Sequence, residues 1–481
     1  MVAYNDADDH FRDECGIFGV FGHADAPALT ALGLHALQHR GQEAAGIVSY
    51  DDGQFYSERH IGLVGDRFSK QDVLARLKGS RTIGHVRYST SGGTLLRNVQ
   101  PLFAEFAGGG FSVAHNGNLT NARSLQAKLR ERGSIFQSTS DTETIIHLIA
   151  RSDEATIVEK LTEAIRTIEG AYSLVALTEK KLIGVRDPLG VRPLSLGQLD
   201  DAWVLASETC AFDIIGAEFV RDIEPGEMVI ITEDGISSHR PFRVEHPRFC
   251  IFEYVYFARP DSMVEGRNVY EVRKQIGAQL FAEAPADVDL VVPVPASGNP
   301  AAIGYAHASG LPFDLGIVRN HYVGRTFIEP TDAIRNMGVR LKLNPNKLLL
   351  EGKRVLLVDD SIVRGTTSKK IVRMVREAGA KEVHMRIASP PTRSPCFYGV
   401  DTPESEKLIA ARLSEQEIAA TIGVDSLAFI TIDGLYRALG EAKRNNDIPQ
   451  FCDACFTGDY PTALTDRDQN QTSHPRLVEI G

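Results

Sequence analysis

Two adjacent carboxylates, Asp359 and Asp360, end the apolar run 354–358 and precede a small, hydroxylated loop that contains Gly365. The apolar run predicts a buried strand, and the amphipathic pattern from Thr366 predicts a helix. Backbone N–H groups at a helix start favour phosphate, and glycine lets such a loop take a positive φ angle. Two carboxylates would repel that phosphate, so we expect them to hold sugar hydroxyls or a hard cation. The stretch predicts a site for a phosphorylated ribose with Mg²⁺.

The same segment closely resembles the phosphoribosyl pyrophosphate (PRPP) signature of type I phosphoribosyltransferases. This resemblance implies that PRPP binds the residues Asp359, Asp360, Ser361, Ile362, Val363, Arg364, Gly365, Thr366 and Thr367. A second loop, with Ser297 and Gly298, follows the predicted strand 291–294 and precedes a helix. Its N–H groups could hold pyrophosphate, and the Ser297 hydroxyl could reach the same Mg²⁺ as the two aspartates. The alternative for this second loop is an ordinary strand-to-helix turn.

The segment 320–330 is too charged and too weakly periodic for a core element. Because it lies between the two loops, it is predicted to be a lid that excludes water during phosphoribosyl transfer. Arg325, Arg340 and Lys342 are candidate partners of the pyrophosphate.

A cysteine at position 15 follows a polar, acidic leader and begins an apolar strand pattern. If the bond after Glu14 is cut, Cys15 gains a free α-amino group, and its thiol and amine form a nucleophile and a base in one residue. The alternative is that Cys15 is a small core residue, since free cysteines are often buried.

Four downstream motifs place polar residues beside glycine or small residues, and these begin at His39, Gly84, His115 and Ser140. Together these motifs supply the charged and hydrogen-bonding groups that a glutamine-binding site needs. Arg87 can bind the α-carboxylate and Asp141 the α-ammonium, while Asn116 and the Gly117 N–H can form an oxyanion hole. Arg40, in the first motif, is a further glutamine-binding candidate. In this order after Cys15, the motifs closely resemble the class II, N-terminal-nucleophile glutamine amidotransferases over residues 15 to about 240.

The remaining cysteines include the pair Cys452 and Cys455, which has metal-ligand spacing, and Cys250 and Cys396 could complete a four-sulfur site. The residues alone leave open Zn²⁺, a [4Fe-4S] cluster and a redox dithiol without metal. Cys210 is predicted to be a core cysteine. No uninterrupted apolar run is long enough to span a membrane, so a reducing, cytoplasmic location is predicted.

Nearly the whole chain resembles the iron-sulfur, propeptide-bearing branch of the amidophosphoribosyltransferase family. The resemblance implies a propeptide that is removed autocatalytically and a [4Fe-4S] cluster on Cys250, Cys396, Cys452 and Cys455. It also implies the first committed step of purine synthesis, feedback inhibition by purine nucleotides and a homotetramer. The net charge of −11 argues against nucleic acid as a partner.

The elements that must position these residues form two folds in succession. Isolated strands and helices up to 240 fit an αββα sandwich, and from Val288 alternating strands and helices predict a parallel sheet. The spacing of Val269, Val272, Ile276 and Leu280 predicts a helix over 268–282. The predicted order is a propeptide (1–14), a class II amidotransferase domain (15–240), an aromatic interdomain segment (241–262), a type I phosphoribosyltransferase domain with the cluster cysteines (263–460) and a polar tail (461–481).

Joining the two halves predicts that glutamine is hydrolysed at Cys15 and that its ammonia attacks C1 of PRPP, which gives 5-phosphoribosylamine, glutamate and pyrophosphate. Ammonia in bulk water near neutral pH is mostly ammonium, so an enclosed passage is expected when the lid closes. Two alternatives are another class II amidotransferase, which would lack the Asp359–Asp360 loop, and a catalytically silent nucleotide-binding regulator, which would not need the Cys15 set.

Overall fold

The computed structural model describes residues 15–88, 95–243, 245–320 and 342–467 of the 481-residue chain. The predicted propeptide, the predicted lid beyond Asn320, Arg325, Arg340 and the end of the tail lie outside these ranges. No helix among the described residues is both long enough and apolar enough to cross a bilayer.

The first half is built on two antiparallel sheets. In the described residues, one sheet has seven strands in the order β11-β9-β10-β1-β4-β2-β3 and the other has six in the order β13-β12-β8-β7-β6-β5. The strands of the first sheet are β1 (Gly16–Phe21), β2 (Ala44–Asp51), β3 (Gln54–Ile61), β4 (Arg81–Arg87), β9 (Ser195–Leu199), β10 (Ala202–Ala206) and β11 (Glu218–Asp222). Those of the second are β5 (Leu102–Phe106), β6 (Gly109–Leu119), β7 (Gly170–Thr178), β8 (Leu182–Arg186), β12 (Met228–Thr232) and β13 (Gly235–His239).

The two sheets pack face to face, and helices cover both outer faces. Ile17, Val48, Ile83, Ala114 and Val175 are fully buried in the core between the sheets. The helices are α1 (Ala26–Ala36), α2 (Val64–Phe68), α3 (Gln71–Leu74), α4 (Ala122–Glu131), α5 (Thr142–Arg151), α6 (Ile157–Thr167) and α7 (Cys210–Ile215). One outer core joins α1 and α7 to the first sheet, and another joins α5 and α6 to the second. This is the predicted αββα sandwich, and Cys210 is buried in it as predicted.

A short connecting region follows β13 and contains the aromatic segment. It consists of β14 (Phe249–Cys250), a π-helix (Glu253–Phe257) and the ribbon β15 (Met263–Val264) and β16 (Arg267–Asn268). Tyr254 and Val255 are buried in a core that also includes residues of the second half. The segment therefore packs between the two halves.

The second half contains a parallel sheet in the order β17-β20-β21-β22, four-stranded in the described residues. Its strands and those around it are β17 (Leu290–Pro293), β18 (Ile317–Arg319), β19 (Leu343–Pro345), β20 (Arg354–Asp359), β21 (Glu382–Ile387), β22 (Ser426–Phe429) and β23 (Phe451–Cys452). The helices are α8 (Val269–Glu283), α9 (Asn299–Ser309), α10 (Lys347–Leu350), α11 (Thr366–Glu377), α12 (Glu415–Ile422), α13 (Ile432–Ala438) and α14 (Ala454–Thr457).

Side chains alternate across this sheet as a strand requires. Val291 and Leu356 face the core that includes α8 and α9, whereas Val292 and Leu357 face the core of α11 and α12. The carboxyl ends of adjacent parallel strands meet at one edge, so the loops after β17 and β20 lie side by side. The predicted two-domain fold class is confirmed.

Candidate active site

Cys15 immediately precedes β1 and lies at the edge of the sandwich. Because Gly16 pairs with Val86 of β4, Cys15 is placed beside the end of that strand. Its Sγ donates a hydrogen bond to the carbonyl of Tyr88 at 3.6 Å, and 9% of the residue is exposed. The thiol therefore lies at the end of the second predicted glutamine motif, which begins at Gly84, rather than deep in the core.

The carbonyl of Cys15 is held by a buried arginine. Arg40 Nε donates to this carbonyl at 3.2 Å, while its other nitrogens bind Glu208 at 2.5 Å and Glu253 at 2.6 Å. Arg40 is 1% exposed. The structure thus shows Arg40 fixing the backbone of Cys15, and the role of Arg40 in binding glutamine stays a prediction.

Arg87 and Asp141 come together near Cys15. Arg87 is 4% exposed, and burial lowers its pKa while the charges of Cys15, Asp141 and Glu43 oppose that change. Asp141 precedes α5, and its carboxylate accepts hydrogen bonds from the N–H groups of Thr142 at 2.9 Å and Leu119 at 3.0 Å. A buried cation and an oriented carboxylate beside one thiol can bind the two charged ends of an amino acid.

Asn116 and Gly117 lie on β6, next to this pair. Asn116 is 1% exposed, and neither polar atom of its side-chain amide has a hydrogen-bond partner in the described part of the chain. Gly117 has φ of 138°, and a Cβ built there would lie 2.0 Å from the carbonyl oxygen of Ala171. Only glycine fits this conformation and this space. A buried amide donor without a partner, on the strand whose Leu119 N–H binds Asp141, is suited to stabilise an oxyanion.

The loop after β20 has the geometry that the phosphate prediction requires. Gly365 has φ of 79° and forms the N-cap of α11, which begins at Thr366. The first N–H groups of a helix lack partners within the helix, so this end can hold an anion. Ile362 and Val363 are buried, which fixes the loop to the core below it.

The two carboxylates before this loop are buried. Asp359 and Asp360 are each 1% exposed. Asp360 Oδ2 accepts a hydrogen bond from the Ser361 hydroxyl at 2.6 Å, whereas its Oδ1 has no hydrogen-bond partner among the described residues. A buried carboxylate oxygen without a partner is costly unless a ligand satisfies it. The donor set therefore fits Mg²⁺ or ribose hydroxyls.

The loop after β17 packs directly against the end of β20. Gly298 would carry its Cβ 2.3 Å from the carbonyl oxygen of Val358, and the N–H of Val294 donates to that same carbonyl at 2.9 Å. Ser297 lies in this turn, and the next residue but one, Asn299, has a buried side-chain oxygen without a hydrogen-bond partner in the described ranges. No pattern in the sequence selects Asn299.

Lys342 is the first described residue after the segment 321–341, which lies outside the described ranges. Its carbonyl accepts a hydrogen bond from the N–H of Asn320 at 2.8 Å, which extends the ribbon of β18 and β19. The pyrophosphate roles of Lys342, Arg325 and Arg340 stay predictions, and the last two residues lie outside the described residues.

The four cysteines predicted to share a site line one cavity. Cys250 and Cys452 are paired on the parallel ribbon of β14 and β23, and Cys396 and Cys455 complete the lining. Burial raises the pKa of Cys452 to about 12, and burial with the other three thiols raises the pKa of Cys455 well above its ordinary value. In the described ranges, no three His, Cys, Asp or Glu side chains are grouped to hold a single ion. The thiols surround a space instead.

Several buried charged residues near these sites could not be selected from the sequence. Glu253 of the π-helix binds Arg40 and also Arg192, whose Nη1 lies 3.3 Å from its carboxylate. Arg273 of α8 donates to the carbonyls of Tyr254 and Ala258 at 2.8 Å each. Burial lowers the pKa of Arg273 to about 10, with the charge of Asp360 foremost among those that oppose this shift. The only sequence feature that could have identified these residues is the presence of a charged residue within an apolar stretch.

Comparison with known proteins agrees with this arrangement. Residues 85–213 match the model of the glutamine amidotransferase domain, and residues 261–389 match that of the phosphoribosyl transferase domain. The amidophosphoribosyltransferase of Rhizobium etli is 59% identical over 96% of this chain and 94% of its own length. That of Bacillus subtilis is 49% identical over 94% of this chain and 95% of its own length.

A solved structure also matches both halves together. It is glutamine PRPP amidotransferase from B. subtilis in complex with ADP and GMP, with a TM-score of 0.89 and 48% identity over 94% of this chain and 98% of that one. The extent and identity of these matches show that the chain belongs to the amidophosphoribosyltransferase family.

Proposed function

We propose that this protein makes 5-phosphoribosylamine from glutamine and PRPP, with glutamate and pyrophosphate as the other products, as the first committed step of purine synthesis. The proposal rests on one observation: the same chain contains two sites in which a buried polar group has no hydrogen-bond partner among the described residues. One pairs Cys15 with the unsatisfied Asn116 amide, and the other pairs the Gly365 loop with the unsatisfied oxygen of Asp360.

In the first half, the thiolate of Cys15 attacks the side-chain amide carbon of glutamine. The α-amino group of Cys15, free once the leader is removed, accepts the thiol proton and passes it to the leaving nitrogen. The Asn116 amide and the Gly117 N–H stabilise the oxyanion, while Arg87 and Asp141 bind the α-carboxylate and α-ammonium. Water then releases glutamate from the thioester.

In the second half, the N–H groups of residues 362–367 hold the 5-phosphate of PRPP, and Asp359 and Asp360 hold its ribose hydroxyls. Ser297, Asp359 and Asp360 would bind Mg²⁺, which when bound neutralises charge on the departing pyrophosphate. The Ser297–Gly298 loop contributes N–H groups to the same pyrophosphate. Ammonia from the first half attacks C1 and forms the C–N bond as the C–O bond to pyrophosphate breaks.

The cysteine cavity would hold a [4Fe-4S] cluster on Cys250, Cys396, Cys452 and Cys455. Four cysteines that line one cavity match the four-thiolate donor set that such a cluster requires, whereas a Zn²⁺ site would need its ligands grouped around a single point, and the described ranges hold no such group. The cluster would tie together three chain segments that are distant in sequence. Anaerobic purification followed by iron and sulfide analysis tests this, and stoichiometric zinc without iron would contradict it.

Further features of the family branch are proposed for this chain as well. These are removal of residues 1–14, inhibition by purine nucleotides, a homotetrameric assembly and a cytoplasmic location, where reduced thiols remain available as ligands. Intact mass tests the first: a mature, active chain that still begins at Met1 would contradict the α-amine mechanism.

A product assay with glutamine, PRPP and Mg²⁺ tests the overall function. We expect glutamate and pyrophosphate in equal amounts, and no requirement for ATP. Replacing both aspartates, Asp359→Asn and Asp360→Asn, should abolish PRPP consumption while glutaminase activity stays measurable. Glutamine hydrolysis by wild type without PRPP consumption would favour another class II amidotransferase, and absence of both activities would favour a silent regulator.

A further inference from the structure

A short segment of the second half, residues 396–399, reaches into the first half. Asn118 Nδ2 donates a hydrogen bond to the carbonyl of Phe397 at 3.0 Å, and Arg192 Nε donates to the carbonyl of Tyr398 at 2.8 Å. Both donors belong to the amidotransferase sandwich, and Asn118 is two residues beyond Asn116. Two consecutive carbonyls of the segment are therefore fixed by the domain that hydrolyses glutamine.

The last residue of the segment packs on the oxyanion strand itself. Gly399 has φ of 115°, and a Cβ built on it would lie 3.0 Å from Gly117 Cα and 3.3 Å from its carbonyl oxygen. On its other side, Gly117 abuts the carbonyl oxygen of Ala171. The peptide that presents the Gly117 N–H is thus confined between its own sheet and Gly399.

The first residue of the segment lines the cysteine cavity. Cys396 Sγ accepts a hydrogen bond from the Tyr398 N–H at 3.3 Å, and the Cys396 N–H donates to Thr402 Oγ1 at 2.6 Å. Three peptide bonds therefore separate a cavity thiol from the glycine that contacts Gly117. A displacement of Cys396 would be transmitted to Gly399 over a distance too short for the backbone to absorb it.

We propose that residues 396–399 are a positioning element for the Asn116–Gly117 oxyanion site, so that filling of the cysteine cavity sets the geometry of glutamine hydrolysis. This inference rests on the proposed function of Cys15 and Asn116. An oxyanion donor contributes on the order of 10²–10³-fold to kcat, and a displacement of about 1 Å can remove much of that. Glutamine binding through Arg87 and Asp141 is not affected by such a displacement.

The variant Gly399→Ala tests the proposal, because its methyl group would push on the Gly117 backbone. We expect kcat for glutamine hydrolysis to fall at least about tenfold, with KM for glutamine changed less than about twofold. Amination of PRPP with added ammonium salt and the bound metal content should match wild type. Gly440→Ala is the control, since Gly440 also has a positive φ, of 87°, but a Cβ there would meet nothing within 4 Å.

A second variant provides an independent test in case Gly399→Ala does not fold. Asn118→Ala removes the donor to Phe397 without adding an atom near Gly117, and it should show the same kcat-specific loss at smaller size. An unchanged kcat in both variants would overturn the proposal. An equal fall in glutamine-dependent and ammonia-dependent activity would overturn it too, because that result indicates general damage.

A readout other than activity follows from reciprocity between coupled sites. Alkylation of Cys15 with a diazoketone analogue of glutamine should raise the chelator concentration that removes half of the bound metal from wild type, and Gly399→Ala should abolish this protection. Equal chelator midpoints with and without the analogue in wild type would overturn the coupling. Failure of the proposed function is distinct from these outcomes, since wild type would then neither hydrolyse glutamine nor react with the analogue.

Discussion

Two buried residues, Asn116 and Asp360, carry polar atoms that no described residue satisfies. An unsatisfied buried polar group costs about 1–3 kcal/mol, so a fold that retains two of them favours ligand binding over its own stability. Asn116 lies on the strand whose Leu119 N–H binds Asp141, and Asp360 directly precedes the phosphate loop. Other buried polar atoms in the described residues also lack partners, among them Ser49 Oγ and Thr392 Oγ1, so unpaired polarity identifies the two sites only in combination with the sequence motifs.

Replacing the unsatisfied amide should separate function from stability. Asn116→Leu should lower kcat/KM for glutamine about 100- to 1,000-fold, because an oxyanion donor is lost, while the free energy of unfolding stays equal or rises. Kinetics and urea unfolding measure the two effects. Asn98 is the matched control: it is fully buried but bonded twice to Thr139, at 2.9 Å each. Asn98→Leu should destabilise the protein, and a stability loss in Asn116→Leu as large as that in Asn98→Leu would contradict this account.

A buried histidine should make stability depend on pH. Burial lowers the pKa of His85 to about 3, and its Nε2 lies 3.2 Å from the carbonyl of His115. Unfolding restores the ordinary pKa of about 6.5, so between pH 6.5 and 3 the unfolded chain binds more protons and stability falls as pH falls. At pH 5 this amounts to about 2 kcal/mol.

Urea unfolding between pH 7.5 and 5 measures this contribution. His85→Gln, which keeps a donor for the His115 carbonyl, should flatten the pH dependence, and the exposed control His239→Gln should not. Parallel curves for wild type and His85→Gln would show that this histidine does not carry the effect.

At the scale of elements, the π-helix Glu253–Phe257 joins the two halves through one carboxylate. Glu253 is fully buried and binds Arg40, which holds the Cys15 carbonyl, and Arg192, which holds the segment 396–399. Arg273, which lies on α8, donates hydrogen bonds to the carbonyls of Tyr254 and Ala258, in and directly after the same helix. Cys15 and helix α8 of the second half are therefore connected through this π-helix by buried ion pairs and hydrogen bonds.

Neutralising that carboxylate should weaken the connection. Glu253→Gln leaves two buried guanidinium groups short of countercharge, and loss of one partner of a buried pair costs about 3–5 kcal/mol. We expect a lower urea midpoint, together with a fall in glutaminase kcat. Glu271→Gln removes an exposed partner of Lys274 and should change little, because surface pairs contribute little to stability. Equal midpoints for the two variants would exclude the proposed role of Glu253.

The sequence predicted the elements whose signals are local. The strand, loop and helix around Asp359 and Gly365 could be predicted because the periodic apolar residues and the turn residues lie within a few positions of one another in the sequence. The helix predicted over 268–282 is observed as Val269–Glu283. The partners of Arg40 could not be predicted, since Glu208 and Glu253 are 168 and 213 residues away. Arg192 and Glu208 themselves could not be selected from the sequence, because burial of a charge leaves no periodic signal.

At the scale of the whole molecule, two sites that each do half a reaction are held in one chain. Neutral ammonia is a minor species in bulk water near neutral pH, so its efficient use requires that it not leave the protein. The proposed passage between the sites makes this a property of the intact chain, because ammonia made at one site must reach the other without entering the solvent.

Complementation by mixing tests that property. Cys15→Ala should lose glutamine-dependent synthesis but keep synthesis with added ammonium salt, and Asp360→Asn should keep glutamine hydrolysis but lose PRPP consumption. A mixture of the two variants with glutamine and PRPP contains both working sites, though never in one chain. If ammonia passes within a chain, the mixture should make phosphoribosylamine no faster than Cys15→Ala does with the ammonium that the mixture itself accumulates. The rate is measured by pyrophosphate release, with wild type at half the total concentration as the control. A mixture that matched this control would show that ammonia travels through solvent, and the pairing of these two domains would then need a reason other than transfer of nitrogen.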